Sequence, residues 1–143
     1  MSIVLPVTQY IPPDGVSGDN TLSGVLMPLP PGFPTSVHTS AYALSLQVAS
    51  GACRLFGFQG YDANASGEFI QVFDSATIPA SGAVPAFVLS TGTAAGNFSA
   101  YFGASGRWML RGCWIVASST GPTYTAAGSA NMYVDVQYDA ATA

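Results

Sequence analysis

Gly106-Arg107-Trp108-Met109-Leu110-Arg111-Gly112-Cys113-Trp114-Ile115-Val116-Ala117-Ser118-Ser119-Thr120-Gly121-Pro122-Thr123-Tyr124-Thr125 holds both tryptophans, two of the three arginines and one of the two cysteines of a 143-residue chain. Its middle is β-branched and aromatic and it runs out in a Ser/Thr/Gly/Pro turn cluster, the pattern of a central β-strand. Because side chains alternate across a strand, Trp108, Leu110, Gly112, Trp114 and Val116 share one face and Arg107, Met109, Arg111, Cys113, Ile115 and Ala117 the other. The first set is the expected core face. No catalytic motif falls in the stretch, so it speaks for a scaffold before a chemistry.

The same period of two recurs on both sides of it. Tyr42, Leu44, Leu46 and Val48 alternate with Ala43, Ser45 and Gln47, a half-buried strand. Cys53 to Tyr61 follows, with glycines that predict a bulge or a close approach. After a turn at Asp62 to Gly67 come strands at Glu68 to Asp74, Val84 to Ser90, Asn97 to Phe102 and Met132 to Tyr138, the last with Met132, Val134, Val136 and Tyr138 on one face. Seven or eight short strands at regular turn spacing, with no helix-period stretch longer than about two turns, predict an all-β, antiparallel jelly-roll-like β-sandwich. It is expected at 38–143. Residues 1–37 hold seven of the ten prolines, which excludes helix and central strand for most of them and predicts an extended arm. Ile3, Val4, Leu5, Val7, Tyr10 and Ile11 make that arm too apolar for a solvated linker.

Composition narrows the function. Three arginines, no lysine and seven acids leave 7% charged residues, against a usual ~25%, and a net charge of −4. Nothing in that balance attracts phosphates, so no nucleic-acid role is expected. A surface of Ser, Thr, Gly, Ala, Asn, Gln and apolar groups fits a protein partly covered by other subunits. Sheet edges are normally guarded by charges, lysine above all, and here closure, a bulge, the arm or a neighbouring chain must do that work. Met1 to Pro6 lacks the basic start and apolar run of a signal peptide, and no stretch approaches the ~20 apolar residues of a membrane span, so synthesis in a cytoplasm and no membrane partner are expected.

Each candidate chemistry has a plainer competitor. His38, the only histidine, would need a nucleophile and a carboxylate fixed around it, and it is expected at the end of the arm. Glu68 and Asp74 stand six positions apart, about 20 Å along one strand, too far to cooperate as a glycosidase pair. Such a pair would have to come from separate elements, as with Asp62 and Asp135. Asp62-x-Asn64-x-Ser66-Gly67 matches the opening of a calcium loop, but the twelfth position is Phe73, and an Asx-rich hairpin turn explains the same residues. Tyr61, Tyr101 and Tyr124 form a set that could stack on sugars or a partner, or pair across strands in the core. Cys53 and Cys113 have no metal-ligand spacing; two buried free thiols are expected, with a disulfide between neighbouring strands as the alternative. Arg54, Arg107 and Arg111 could pair with acids of another subunit or within their own. No enzymatic activity, cofactor or metal is expected.

Gln71 to Pro79, Gly82, Pro85, Gly106-Arg107, Arg111 to Thr125 and Val134 to Tyr138 together resemble small β-sandwich virion proteins encoded by tailed phages and prophages. The resemblance covers about the last 70 residues. It implies a structural virion component such as a capsid decoration, or cement, protein: a homo-oligomer, a trimer in preference, seated on the major capsid protein of the phage head. Arg54, Arg107, Arg111, Tyr10 and Ile11 are then the expected interface residues, the last two from the arm. The alternative expectation is a tail-fibre or adhesion module that binds a cell-surface glycan through exposed tyrosines.

Overall fold

Strands that are apolar on one face must bury that face against another layer, and the protein meets the requirement with two antiparallel sheets. The computed structural model describes residues 34–141. Tyr10, Ile11 and the rest of the expected arm before Pro34 lie outside them. Nine strands follow in order: β1 (Thr35–His38), β2 (Ser45–Ala49), β3 (Cys53–Asp62), β4 (Phe69–Asp74), β5 (Phe87–Ser90), β6 (Gly96–Tyr101), β7 (Arg107–Met109), β8 (Cys113–Ser118) and β9 (Met132–Ala140). One sheet has the order β1-β9-β3-β6 and the other β2-β8-β4-β5. β7 pairs with β3 beyond the end of β6, so the two share one edge of that strand. Leaving β7 aside, this interleaving of first and last strands is the antiparallel jelly-roll sandwich.

Between the sheets lies the core. β3 and β9 supply Leu55, Phe58, Met132, Val134 and Val136, and β4 and β8 answer with Ile70, Val72, Ile115 and Ala117. Phe58 carries the aromatic part, edge-on to Phe87 of the opposite sheet and to Phe98 beside it, both with ring centroids at 6.2 Å. The expected apolar face of the last strand is confirmed, with Met132, Val134 and Val136 fully buried. So is the irregularity in β3: its register against β9 shifts between Leu55 and Gly57, which leaves Phe56 as the extra residue of a bulge.

Three expectations change. The sandwich begins at Thr35, because Thr35–His38 pairs with Tyr138–Asp135 of β9; His38 is therefore held in a sheet. The first part of the expected Tyr42–Val48 strand carries only an isolated bridge at Ala43, and β2 starts at Ser45. The third change concerns the central stretch, which is two strands in two sheets. Met109 faces the core, Trp108 and Leu110 are exposed, and Cys113, Ile115 and Ala117 face the core after the crossing. The expected core face is thus the wrong one at Trp108 and Leu110. Val116 and Trp114 pack on the far side of their sheet, in a second small cluster with Phe73 and Tyr124.

Gly112 makes the crossing possible. Its φ is +149°, and a Cβ there would lie 2.5 Å from the Ser75 carbonyl oxygen and 3.0 Å from that of Ala49. Gly82 also has a positive φ, +85°, with nothing near its missing Cβ. Gly82→Ala is expected to cost about 1–2 kcal/mol from backbone strain alone. Gly112→Ala adds overpacking of about 1–3 kcal/mol against fixed carbonyls; urea denaturation of the two variants should separate them in that order.

Candidate functional site

The outer faces of the two sheets are finished differently. On the β2-β8-β4-β5 sheet the chain covers itself. Phe73 meets Tyr124 edge-on at 5.9 Å, over Val116 and beside Ala83 and Trp114. The two covering loops are stitched together where the Tyr124 amide donates to the Ala83 carbonyl and the Gly82 amide donates to that of Tyr124, both at 2.8 Å. Gln71, fully buried on this face, donates its amide to the Thr120 and Gly121 carbonyls at 2.7 and 2.9 Å. The Ser118 hydroxyl closes the same loop against the Thr120 and Thr125 carbonyls. Tyr124 takes the core-pairing alternative of the three tyrosines' two readings: it is 6% exposed, and its burial pushes the phenol above its ordinary pKa.

No described segment covers the outer face of the β1-β9-β3-β6 sheet in that way. Cross-strand register arranges its side chains in four rows. Tyr133, Tyr61 and Asn97 form the first, and His38, Asp135, Gln59 and Ser99 the second. Ser36, Gln137, Gly57 and Tyr101 form the third; Asp139, Arg54 and Trp108 the fourth. Of the five exposed aromatic side chains among the described residues, four stand here, from Tyr61 at 38% to Tyr101 at 77%. A trough of about 810 Å³ is lined by residues of the first two rows with Ser36, Gly60 and Phe98. A smaller one, about 220 Å³, runs on toward Tyr101 and shares Gln59, Ser99 and Asp135 with it. Gly57 deepens this part: a Cβ there would sit 2.7 Å from the Ala100 carbonyl oxygen, and none is present to fill the space.

The expected site residues are dispersed. Arg54 forms an ion pair with Asp139 at 3.1 Å within the subunit and stacks between Phe56 and Trp108, 5.0 and 5.6 Å from their ring centroids. Arg107 donates to the Ala86 carbonyl at 2.8 Å and ties β7 to the segment before β5 of the other sheet. The Arg111 amide donates to Asp74 at 2.7 Å, and its side chain is exposed. Because the stretch divides at Gly112, Arg107 and Arg111 do not share a strand. Asp62 and Asp135 fall on opposite faces of one sheet, Asp62 toward the interior and Asp135 in the outer second row. His38 neighbours Asp135 in register, with no hydrogen bond from its imidazole to that carboxylate or to a serine among the described residues.

The Asp62 loop takes the Asx-turn form. Asp62 accepts from the Asn64 amide at 2.8 Å, and Asn64 accepts from the Ser66 amide at 3.0 Å, so these oxygens face their own backbone. Behind the turn lies a polar knot that the sequence does not announce. The Thr91 hydroxyl donates to Asp62 at 2.5 Å while accepting the Glu68 amide at 2.7 Å, and Asn64 donates to Glu68 at 2.6 Å. Asn64 and Thr91 thereby hydrogen-bond the Asp62 carboxylate, and Asn64 and Asn131 one oxygen of the Glu68 carboxylate, whose other buried oxygen has no partner among the described residues. Among the described residues, no cluster of three or more His, Cys, Asp or Glu is arranged to hold a metal ion.

Cys53 of one sheet and Cys113 of the other are both fully buried and face the same core. The interaction with Cys53, with burial adding to it, holds the Cys113 thiol far above its usual range, whereas the interaction with Cys113 draws Cys53 below that range against the opposing effect of burial. The two cysteines meet as free thiols.

Taken together, the class defined is an antiparallel jelly-roll sandwich with one self-covered sheet and one aromatic-and-polar sheet face that has no such cover among the described residues. No protein-family model, curated protein or solved structure matches the chain.

Thr91→Val keeps the shape and removes the hydroxyl between Asp62 and Glu68. It should lower stability by about 1–3 kcal/mol, the cost of leaving buried polar groups unpaired. Thermal unfolding followed by circular dichroism measures it, with Thr93→Val, on the same loop, as the comparison.

Proposed function

We propose that the protein is a non-enzymatic structural component of a phage virion, a capsid decoration protein that oligomerises and bridges capsid subunits. The observation that carries this reading is the sheet face without cover among the described residues, which presents four exposed aromatic side chains and no lysine, with Arg54 and Asp139 paired to each other, on a chain with 7% charged residues. Exposed apolar patches mark interaction sites, and interfaces are enriched in Tyr and Trp and depleted in Lys. The jelly-roll order fits the β-sandwich implied by the resemblance of the last 70 or so residues. Seated over seams between capsid subunits, such a protein adds buried apolar area worth roughly 25 cal/mol per Å² and so resists internal pressure. The arm before Pro34 is the natural lash to a neighbour.

A second reading is favoured by the trough, in which the Tyr61 and Tyr133 rims and a floor of Gln59, Asn97 and Asp135 offer stacking and hydrogen bonds to a cell-surface glycan. The two readings part at the arm. Co-sedimentation with expanded particles that lack the protein tests the first, using the full chain and a chain that begins at Pro34. Truncation must stop there, since Thr35–His38 is β1. Binding by the full chain and its loss in the shortened one are the expected results; a full chain that stays in the supernatant overturns the virion reading.

A further inference from the structure

The open face of the β1-β9-β3-β6 sheet calls for a specific occupant, and we propose that it is a second copy of this chain, docked through this face into a closed oligomer. The inference rests on the reading of the protein as an assembling component and names the surface that assembles it.

Extent is the first argument. Exposed aromatics run from Tyr133 and Tyr61 in the first row to Trp108 in the fourth. A saccharide in the trough would engage Tyr61 and Tyr133 and leave Tyr101, 77% exposed, and Trp108, 56% exposed, largely in water. A partner of comparable breadth covers all four. Strands spaced ~4.8 Å apart and rising ~3.3 Å per residue give this face roughly 20 by 30 Å, on the order of 600 Å² before side-chain relief. A standard interface takes about 800 Å² from each partner. A sheet face of the same protein is a partner of that size.

Charge is the second. The whole chain carries −4, but this face presents Asp135 beside His38 and Asp139 already paired with Arg54 at 3.1 Å. Two copies can meet here without bringing together an excess of like charge, which would cost several kcal/mol in the wrong pairing. Asp135 and His38 sit in one row beside Gln59 and Ser99, so a second copy can offer each a partner of opposite character or a hydrogen bond. The third argument is contrast. The other sheet spends two loops, with Gln71 and Tyr124, on covering its outer face; among the described residues nothing comparable lies over this one, and an exposed apolar patch of this kind marks an interaction site.

Sedimentation velocity of the full chain from low to high micromolar concentration is the test. Wild type should sediment as two or three copies. Tyr61→Asp combined with Tyr101→Asp should be monomeric where wild type is fully associated, a rise of at least 100-fold in dissociation constant, with unchanged far-ultraviolet circular dichroism. Val84→Asp, in a loop of the other sheet and 76% exposed, should retain the wild-type mass. Should the double variant fail to fold, Ser99→Cys replaces it: its thiols should crosslink between copies under diamide, which takes two electrons as two S–H groups become one S–S bond, whereas those of Val84→Cys should not. A wild-type monomer, an oligomer untouched by the double variant, or crosslinking at Val84→Cys alone overturns the proposal. An oligomer through this face that ignores capsid particles removes the virion reading and leaves this one standing; a monomer that binds the particles does the reverse.

Discussion

Burial between the two sheets is the constraint on which everything else depends. Leu55, Phe58, Met132, Val134 and Val136 from one layer and Ile70, Val72, Ile115 and Ala117 from the other form a single core. At roughly 1.5–3 kcal/mol for each fully buried large apolar side chain, it dominates the favourable side of folding. Since side chains alternate, committing one face of each strand to this layer commits the other face outward. The outward faces are where the two sheets diverge.

On the β2-β8-β4-β5 side the outward face is closed by the chain's own loops: the Gln71 amide holds the Thr120, Gly121 and Thr123 carbonyls, and the Ser118 hydroxyl those of Thr120 and Thr125. This is expensive in ordered backbone and rigid as a result. The β1-β9-β3-β6 side carries no comparable cover among the described residues, and its Tyr, Trp, Gln, Asn and Asp side chains stand in register across β1, β9, β3, β6 and β7. A rigid sheet presenting aromatic anchors loses little conformational entropy on docking, which suits it to recognition. The nearly neutral balance of that face agrees with the chain's avoidance of lysine.

Much of this was legible in the residues. Period-two alternation at Met132–Tyr138 placed the last strand, Cys53–Tyr61 read as a strand whose glycines announced a bulge or close packing, and Asp62–Gly67 read as an Asx turn. The misreadings share a physical cause. Trp108 and Leu110 look like core by hydrophobicity, yet the chain turns at Gly112 from one sheet to the other and the core-facing side of the stretch is the one that carries Met109 and Cys113. His38 looked like the end of an arm because β1 is four residues long and exposed except at Val37, too short for periodicity to register. The Asp62–Thr91–Glu68 knot joins residues up to 29 positions apart, beyond any local pattern.

The sequence by itself determined that this is an all-β protein with two-faced strands, a nearly uncharged surface and a proline-rich start, because alternation, turn chemistry and charge content are local or additive properties. Tertiary structure alone decided which of two faces each strand turns inward, that Tyr124 is covered while Tyr101 is bare, that Cys53 meets Cys113, and which sheet stays open. Those outcomes depend on which strands become neighbours and which loops fold back over them. Such pairings are made between residues far apart in the chain, where packing and register across the whole sandwich choose among arrangements that a local pattern leaves equal.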